Sequence, residues 1–281
     1  MRYVAYGQDK LPVIGQGTWK MGVSPSDRNE EIQALRYGIR LGLTLIDTAQ
    51  MYADGAAESV VGEAIKGLRD QAFVVSKVWP NHASQTGVLE ELKKSLQRLG
   101  TSYLDLYLLH WPSKTYALTE TLTAMEQAKK EGLIRYFGVS NFTVDLLKEA
   151  WGFVGPEVLA INQVEYSLSA RQIEHSLLPF CQKQGVTIMA YSPVKNLPKA
   201  ANESSLDILR DIAEKHHVTP YTVALSWVVD HAGVVAIPKA VQPRHIEENA
   251  RAANLVLSQA EVQAIEEAFP RTTEEMKLTR F

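Results

Sequence analysis

The chain has 281 residues, 46% of them apolar and 22% charged, with a net charge of −3 at neutral pH. That balance suits a folded domain with a sizeable core and gives no electrostatic reason to expect nucleic acid or an anionic membrane as partner. A single cysteine, Cys181, rules out an intrachain disulfide, residues 1–10 lack an apolar secretory core, and no apolar run nears the roughly 18 residues of a membrane span, so a soluble, cytoplasmic protein is expected.

Taken in chain order, the first elements read as a hairpin, residues 3–6 and 10–12 around Gly7-Gln8-Asp9, placed to cover one end of a barrel. Short β-branched runs then alternate with stretches of helical period. The strands fall at 13–17, 44–47, 73–77, 104–110, 134–139, 159–164, 187–190 and 234–237. The helices fall at 29–41, 58–66, 87–99, 118–130, 144–151, 173–184 and 206–216. Gly42, Gly100, Gly132 and Gly185 follow helical patterns where a left-handed residue is wanted. Thr219-Pro220 reads as a cap followed by proline at the first helical position, and Ser258 with Glu261 as a capping box opening a last helix.

Eight unbroken strand–helix repeats imply a closed parallel sheet: a (β/α)8 TIM barrel, an α/β fold with an N-terminal β-hairpin and a short C-terminal tail, forming one domain over 1–281. An open dinucleotide-binding sheet would show G-x-G-x-x-G after its first strand; the run from Gly15 to Lys20 lacks the third glycine. The tail, 276–281, reads as loosely tied, and His216-His217 as a solvated helix face.

A barrel works at the C-terminal ends of its strands. Polar residues predicted there are Asp47, Lys77, His110, Ser140, Asn141, Gln163, Tyr191 and Lys239, with Tyr52 in the loop above Asp47. Each has a bland reading: Asp47 as a turn cap, Lys77 as a solvated strand end, His110 as a satisfied core histidine, Tyr52 as one tyrosine among 11. Together they make chemical sense. A carbonyl accepting hydride becomes an alkoxide and needs a proton donor. A tyrosine is a reluctant one, and a nearby ammonium favours its phenolate by about 4 kcal/mol at about 4 Å and an effective dielectric near 20, before desolvation. On this reading Asp47 keeps Lys77 charged, Lys77 lowers Tyr52, and His110 orients the substrate oxygen. A lyase using Lys77 as a Schiff-base nucleophile is the alternative from the same residues.

These residues sit in motifs that resemble the aldo-keto reductase family over essentially the whole chain. The segment 42–52 (Gly-Leu-Thr-Leu-Ile-Asp-Thr-Ala-Gln-Met-Tyr) is similar to the family's first signature, 76–79 to its lysine motif and 104–112 to its histidine motif. Gly138-Val139-Ser140-Asn141-Phe142, Asn162-Gln163, Tyr191-Ser192-Pro193 and Ile237-Pro238-Lys239 are similar to its cofactor-binding segments. Among subgroups the bacterial methylglyoxal and general aldehyde reductases look nearest.

The resemblance implies NADPH-dependent reduction of aldehydes and ketones by direct hydride transfer without a metal, with Tyr52 as general acid assisted by Lys77 and Asp47, and His110 orienting the carbonyl. It implies Ser140, Asn141 and Gln163 on the nicotinamide carboxamide and Tyr191 on the ring, with Ser192 and Pro193 alongside. Lys239, Arg244 and His245 would meet the adenosine 2′-phosphate at a helix opened by Pro243, with Glu248 and Asn249 on the adenine. Two departures open the way to NADH as well: Ala240 replaces the usual serine, and the family arginine falls on His245, with Arg244 one residue early.

Trp19, Trp79 and Trp111 are placed to form an apolar wall for a small carbonyl substrate, with Asn81 and His82 at its edge. Modest loops at 113–117 and 194–203 suggest an open, permissive pocket that takes methylglyoxal among other aldehydes. A monomer is the default. The resemblance leaves one further alternative, a nicotinamide-nucleotide-binding regulatory barrel without turnover.

Overall fold

The computed structural model describes residues 1–281 except 157, 196, 198–202 and 280. Strands β1 (Tyr3–Tyr6) and β2 (Asp9–Pro12) form the antiparallel hairpin. The parallel sheet follows in chain order: β3 (Gln16–Gly17), β4 (Leu45–Asp47), β5 (Phe73–Val78), β6 (Leu104–Leu109), β7 (Ile134–Ser140), β8 (Ile161–Glu165), β9 (Thr187–Tyr191) and β10 (Val234–Ala236). A parallel bridge from Ile14 to Ala236 brings the first of these against the last. The backbone bonds Gly15 N to Ala236 O at 2.8 Å, Ala236 N to Val13 O at 2.8 Å and Gly17 N to Pro238 O at 3.0 Å reinforce it. The seam leaves the sheet without an open edge.

The helices ring the sheet: α1 (Arg28–Arg40), α2 (Ala56–Ile65), α3 (Gln85–Leu99), α4 (Leu118–Lys130), α5 (Val144–Val154), α6 (Leu177–Gln184), α7 (Glu203–Lys215), α8 (Pro220–Asp230), α9 (Pro243–Ala252) and α10 (Gln259–Ala268). Thr219 caps α8 by accepting from Thr222 N, and Ser258 and Glu261 form the capping box of α10. The helix expected over 173–184 begins as a short 3-10 turn, with α6 proper starting at Leu177. Pro179 is tolerated only in a first helical turn, so the helix cannot start much earlier.

Helices α7 and α10 lie outside the strand–helix alternation and pack on each other. His216, expected to be solvated, is part-buried between them, its Nε2 2.9 Å from Glu261 Oε1. Among the described residues no helix is long and apolar enough to cross a membrane.

The core has two layers. One lies between sheet and helices. The other fills the barrel and includes Leu45, Val75, Leu108, Ile161 and Met189, with Tyr6 and Leu11 of the hairpin plugging its lower end. Side chains alternate across a strand, so the next inward position above each of these five is Asp47, Lys77, His110, Gln163 and Tyr191. One parity therefore builds an apolar plug below and a polar floor above. Glycine makes room for it: a Cβ on Gly138 would stand 2.4 Å from Ile161 Cγ2, and one on Gly17 2.5 Å from Ile237 O.

Candidate active site

The polar floor opens into a cavity of about 500 Å³ at the C-terminal ends of the strands. Asp47, Tyr52, His110, Asn141, Gln163, Tyr191, Ser192, Pro193 and Lys239 line it, together with Trp19, Trp79 and Trp111.

At its base Lys77 is fully buried and hydrogen-bonded three ways. Its Nζ donates to Asp47 Oδ2 at 2.8 Å, Thr48 O at 2.8 Å and Tyr52 OH at 3.1 Å. Gln163 Nε2 donates to the other Asp47 oxygen at 2.7 Å. An ammonium has three protons, and all are spent. The Tyr52 oxygen is thus an acceptor from Lys77, which leaves its own O–H free to donate into the cavity.

The electrostatics follow from burial and proximity. Burial draws the Lys77 ammonium down, but Asp47 and Tyr52 more than offset it and hold it above its ordinary value. Burial lifts the Asp47 carboxyl against Lys77 and Gln163, and at 2.8 Å the two groups stand as an ion pair. Lys77 does lower Tyr52, as expected, yet burial outweighs it, so the phenol sits above its usual value rather than below. The lowering expected of Lys77, reckoned before desolvation, is thus present but outweighed, and the hydroxyl stays protonated at neutral pH. Burial, then Lys77, pushes His110 well below its usual value. Its ring is neutral and retains one N–H to offer, and its buried Nδ1 has no hydrogen-bond partner among the described residues. A Lys77 held charged at neutral pH, with all three protons hydrogen-bonded, is unsuited to Schiff-base attack, which needs a free amine.

Above this base, Asn141 Nδ2 donates to His110 O at 3.1 Å and Ser140 Oγ at 3.0 Å, while Tyr191 OH donates to Asn141 Oδ1 at 3.1 Å. Ser140 is fully buried, does not line the cavity, and donates its hydroxyl to Gln163 O at 2.8 Å; it stands behind Asn141 rather than beside it. Backbone strain gathers here. Of the six non-glycine residues with positive φ among those described, five (Lys20, Ala53, Asp54, Asn141 and Ser192) lie in loops at the strands' C-terminal ends, and the sixth, His217, follows α7. Such conformations cost roughly 1–3 kcal/mol each and persist where the surroundings over-determine them, commonly at functional sites.

The aromatic wall is continuous. Trp19 meets Tyr52 with ring centroids 4.9 Å apart, and Trp79 meets His110 at 5.1 Å. The tail, read from sequence as loosely tied, is docked. Phe281 sits 5.6 Å from Trp79 and 5.0 Å from Trp111, Lys114 N donates to Phe281 O at 2.8 Å, and Phe281 N to Pro112 O at 3.0 Å. This extra wall makes the pocket less open than expected. The loop 194–203 lies largely outside the described residues. Asn81 and His82 do not line the cavity; His82 turns towards Glu91, 3.9 Å away.

The structure divides the expected phosphate end. Lys239 faces the main cavity, while Arg244, His245, Glu248 and Asn249 lie on α9 outside it. Arg244 is ion-paired to Glu248 at 2.9 Å and largely exposed. Sequence reasoning missed Thr18, Met51, Lys195 and Phe281 in the lining. Thr18 and Met51 neighbour predicted positions and had a signal. Phe281 had none, because nothing local says where a tail will lie.

Comparison with known proteins gives consistent findings. The Aldo/keto reductase family matches residues 13–269. The chain is similar to methylglyoxal reductase YeaE of Escherichia coli (strain K12), 47% identical over 94% of this chain and 93% of that protein. It is also similar to glyoxal reductase of Bacillus subtilis (strain 168), 37% identical over 92% of this chain and 88% of that one. An aldo-keto reductase from Klebsiella pneumoniae, solved in complex with NADPH, superposes with a TM-score of 0.93 at 42% identity, covering 100% of this chain and 99% of its own.

Proposed function

Since the chain belongs to the aldo/keto reductase family and is an oxidoreductase, we propose that it reduces small aldehydes, methylglyoxal and glyoxal among them, to alcohols with NADPH, and that Tyr52 supplies the proton. The observation that carries this reading is the direction of one hydrogen bond: Lys77 donates to Tyr52 at 3.1 Å, so the phenol's proton is free to leave towards the cavity.

The residues fit a nicotinamide nucleotide. One cavity carries side-chain amides (Asn141, Gln163) and an aromatic face (Tyr191) at one end and the Lys239 ammonium at the other, matching a flat amide-bearing ring joined to phosphates. Reduced nicotinamide, when bound, supplies the hydride. Asn141 and Gln163 meet the carboxamide, Ser140 fixes Asn141 from behind, and Tyr191 covers the ring. Trp19, Trp79, Trp111 and Phe281 shape a dry space for the carbonyl compound. Neutral His110 donates to the carbonyl oxygen and orients it. Tyr52 then gives that oxygen its proton, and Lys77 stabilises the phenolate left behind, with Asp47 keeping Lys77 charged. Lys239, with Arg244 and His245 of α9, carries the preference for the 2′-phosphate, Arg244 exchanging its exposed pair with Glu248 for the phosphate, and NADH serves as a weaker cofactor.

The test is nicotinamide absorbance followed with NADPH and NADH against methylglyoxal, glyoxal and a series of aliphatic and aromatic aldehydes. Turnover of several small aldehydes is expected, faster with NADPH. Cofactor binding without reduction of any carbonyl compound would instead point to a regulatory barrel. Phe281→Ala opens the wall and removes an aromatic contact worth about 0.5–1.5 kcal/mol, so KM for aromatic aldehydes should rise roughly 3- to 10-fold with kcat little changed. An unchanged KM would place Phe281 outside the substrate's reach.

A further inference from the structure

Directly behind Lys77 lies a second buried polar cluster that the chemistry above does not use. Ser76 precedes Lys77 on β5 and points the opposite way, into the layer between sheet and helices. There its Oγ donates to Glu58 Oε1 at 2.5 Å. Glu58 is fully buried in the first turn of α2, and its second oxygen accepts from Arg98 Nε of α3 at 2.6 Å. Arg98 also donates to Ser95 Oγ at 3.1 Å.

The same arginine covers the chain just after Tyr52. Ala53, Asp54 and Gly55 have successive φ values of 49°, 51° and 87°, a left-handed run that no regular element would hold. A Cβ on Gly55 would stand 2.5 Å from Arg98 Nε and 2.6 Å from its Cδ, so the arginine side chain lies against this turn, whose φ of 87° at Gly55 favours glycine. One carboxylate thereby ties together two segments. Through Ser76 it holds the strand that carries Lys77. Through Arg98, whose side chain packs against Gly55, it backs the strained turn that follows Tyr52.

We propose that Glu58 is a positioning residue for the proton donor, fixing the separation of Lys77 and Tyr52 from behind the sheet while touching neither substrate nor cofactor. The inference rests on the reading of Tyr52 as the acid. A fully buried carboxylate is costly unless satisfied, and a bare structural link between helices could be made by apolar packing. The placement here, one residue from Lys77 and against the turn that follows Tyr52, gives the cost a use. The groups facing Glu58 are Arg98, Ser76 and Tyr107, which pairs with Ser76 in strand register; Glu91, nearby, is occupied by Lys94 at 2.7 Å.

The test compares Glu58→Gln and Ser76→Ala with the parent enzyme and with Tyr52→Phe. An ångström of misplacement costs up to about 100-fold, so kcat should fall roughly 10- to 100-fold in Glu58→Gln and by a smaller factor in Ser76→Ala. NADPH affinity, read by fluorescence, should hold. An ultraviolet difference titration of the cofactor-free protein should show the Tyr52 phenol moved upward, because the ammonium has retreated from it. A merely structural link predicts lower melting temperatures with parental kcat and an unmoved titration. That result in folded variants overturns the proposal, and if Glu58→Gln does not fold, Ser76→Ala, which deletes one hydroxyl, decides alone. If Tyr52→Phe itself retains turnover, the reading of Tyr52 as the acid fails instead.

Discussion

Tyr52→Phe should bind NADPH as the parent does and lose nearly all carbonyl reduction. The phenyl ring keeps its contacts with Trp19 and His110, which involve the ring and not the hydroxyl. What disappears is one proton and the acceptor for one of Lys77's three hydrogen bonds. A positioned general acid is worth about 10²–10⁴-fold, so kcat should drop by that factor while cofactor affinity stays level. Lys77 remains paired with Asp47 and bonded to Thr48 O, so the fold should lose little. Parental kcat in this variant would remove Tyr52 from the chemistry as its proton donor.

Lys77→Met should damage both turnover and stability, for separable reasons. The ammonium opposes the rise that burial imposes on the Tyr52 phenol. Without it the phenol climbs further, the phenolate left after proton transfer is less stable, and any alkaline limb of the pH profile moves to higher pH. A loss of about 10²-fold or more in kcat is expected. Separately, the Asp47 carboxylate is left almost fully buried with Gln163 as its remaining side-chain partner. Breaking a buried pair in this way typically costs about 3–5 kcal/mol. Asp47→Asn/Lys77→Met removes the stranded charge and should recover much of the melting temperature but none of the activity. Recovery of both would mean that Lys77 serves the fold alone. In the parent, Lys77 is held above its unfolded value of about 10.4. Its contribution to stability is therefore present below that pH and lost as pH rises through the folded value. Melting followed above about pH 10 should show a steeper decline in the parent than in the double variant, since the buried tyrosines contribute the same alkaline loss to both.

Much of this was legible along the chain because it depends on local periodicity. The strands expected at 73–77 and 187–190 appear as Phe73–Val78 and Thr187–Tyr191, and the caps at Thr219 and Ser258 form as written. Period-two alternation also decides which side chains enter the barrel, so Asp47, Lys77, His110 and Gln163 could be assigned to one rim without coordinates.

What sequence could not decide was any balance that depends on distance and burial. It supplied an ammonium and a phenol; only the tertiary structure shows that burial outweighs the ammonium, leaving Tyr52 raised and protonated. It marked Ser140 and Asn141 alike, yet one lies behind the other. Arg244 read as a phosphate ligand, and only the structure shows it ion-paired to Glu248, one helical turn on. Phe281 read as a loose end because its anchors, Trp79 and Trp111, lie more than 150 residues away in the chain, and which residues share a cavity is a property of chain closure rather than of neighbours. Electrostatic energies vary with separation and local dielectric, and a linear sequence specifies neither.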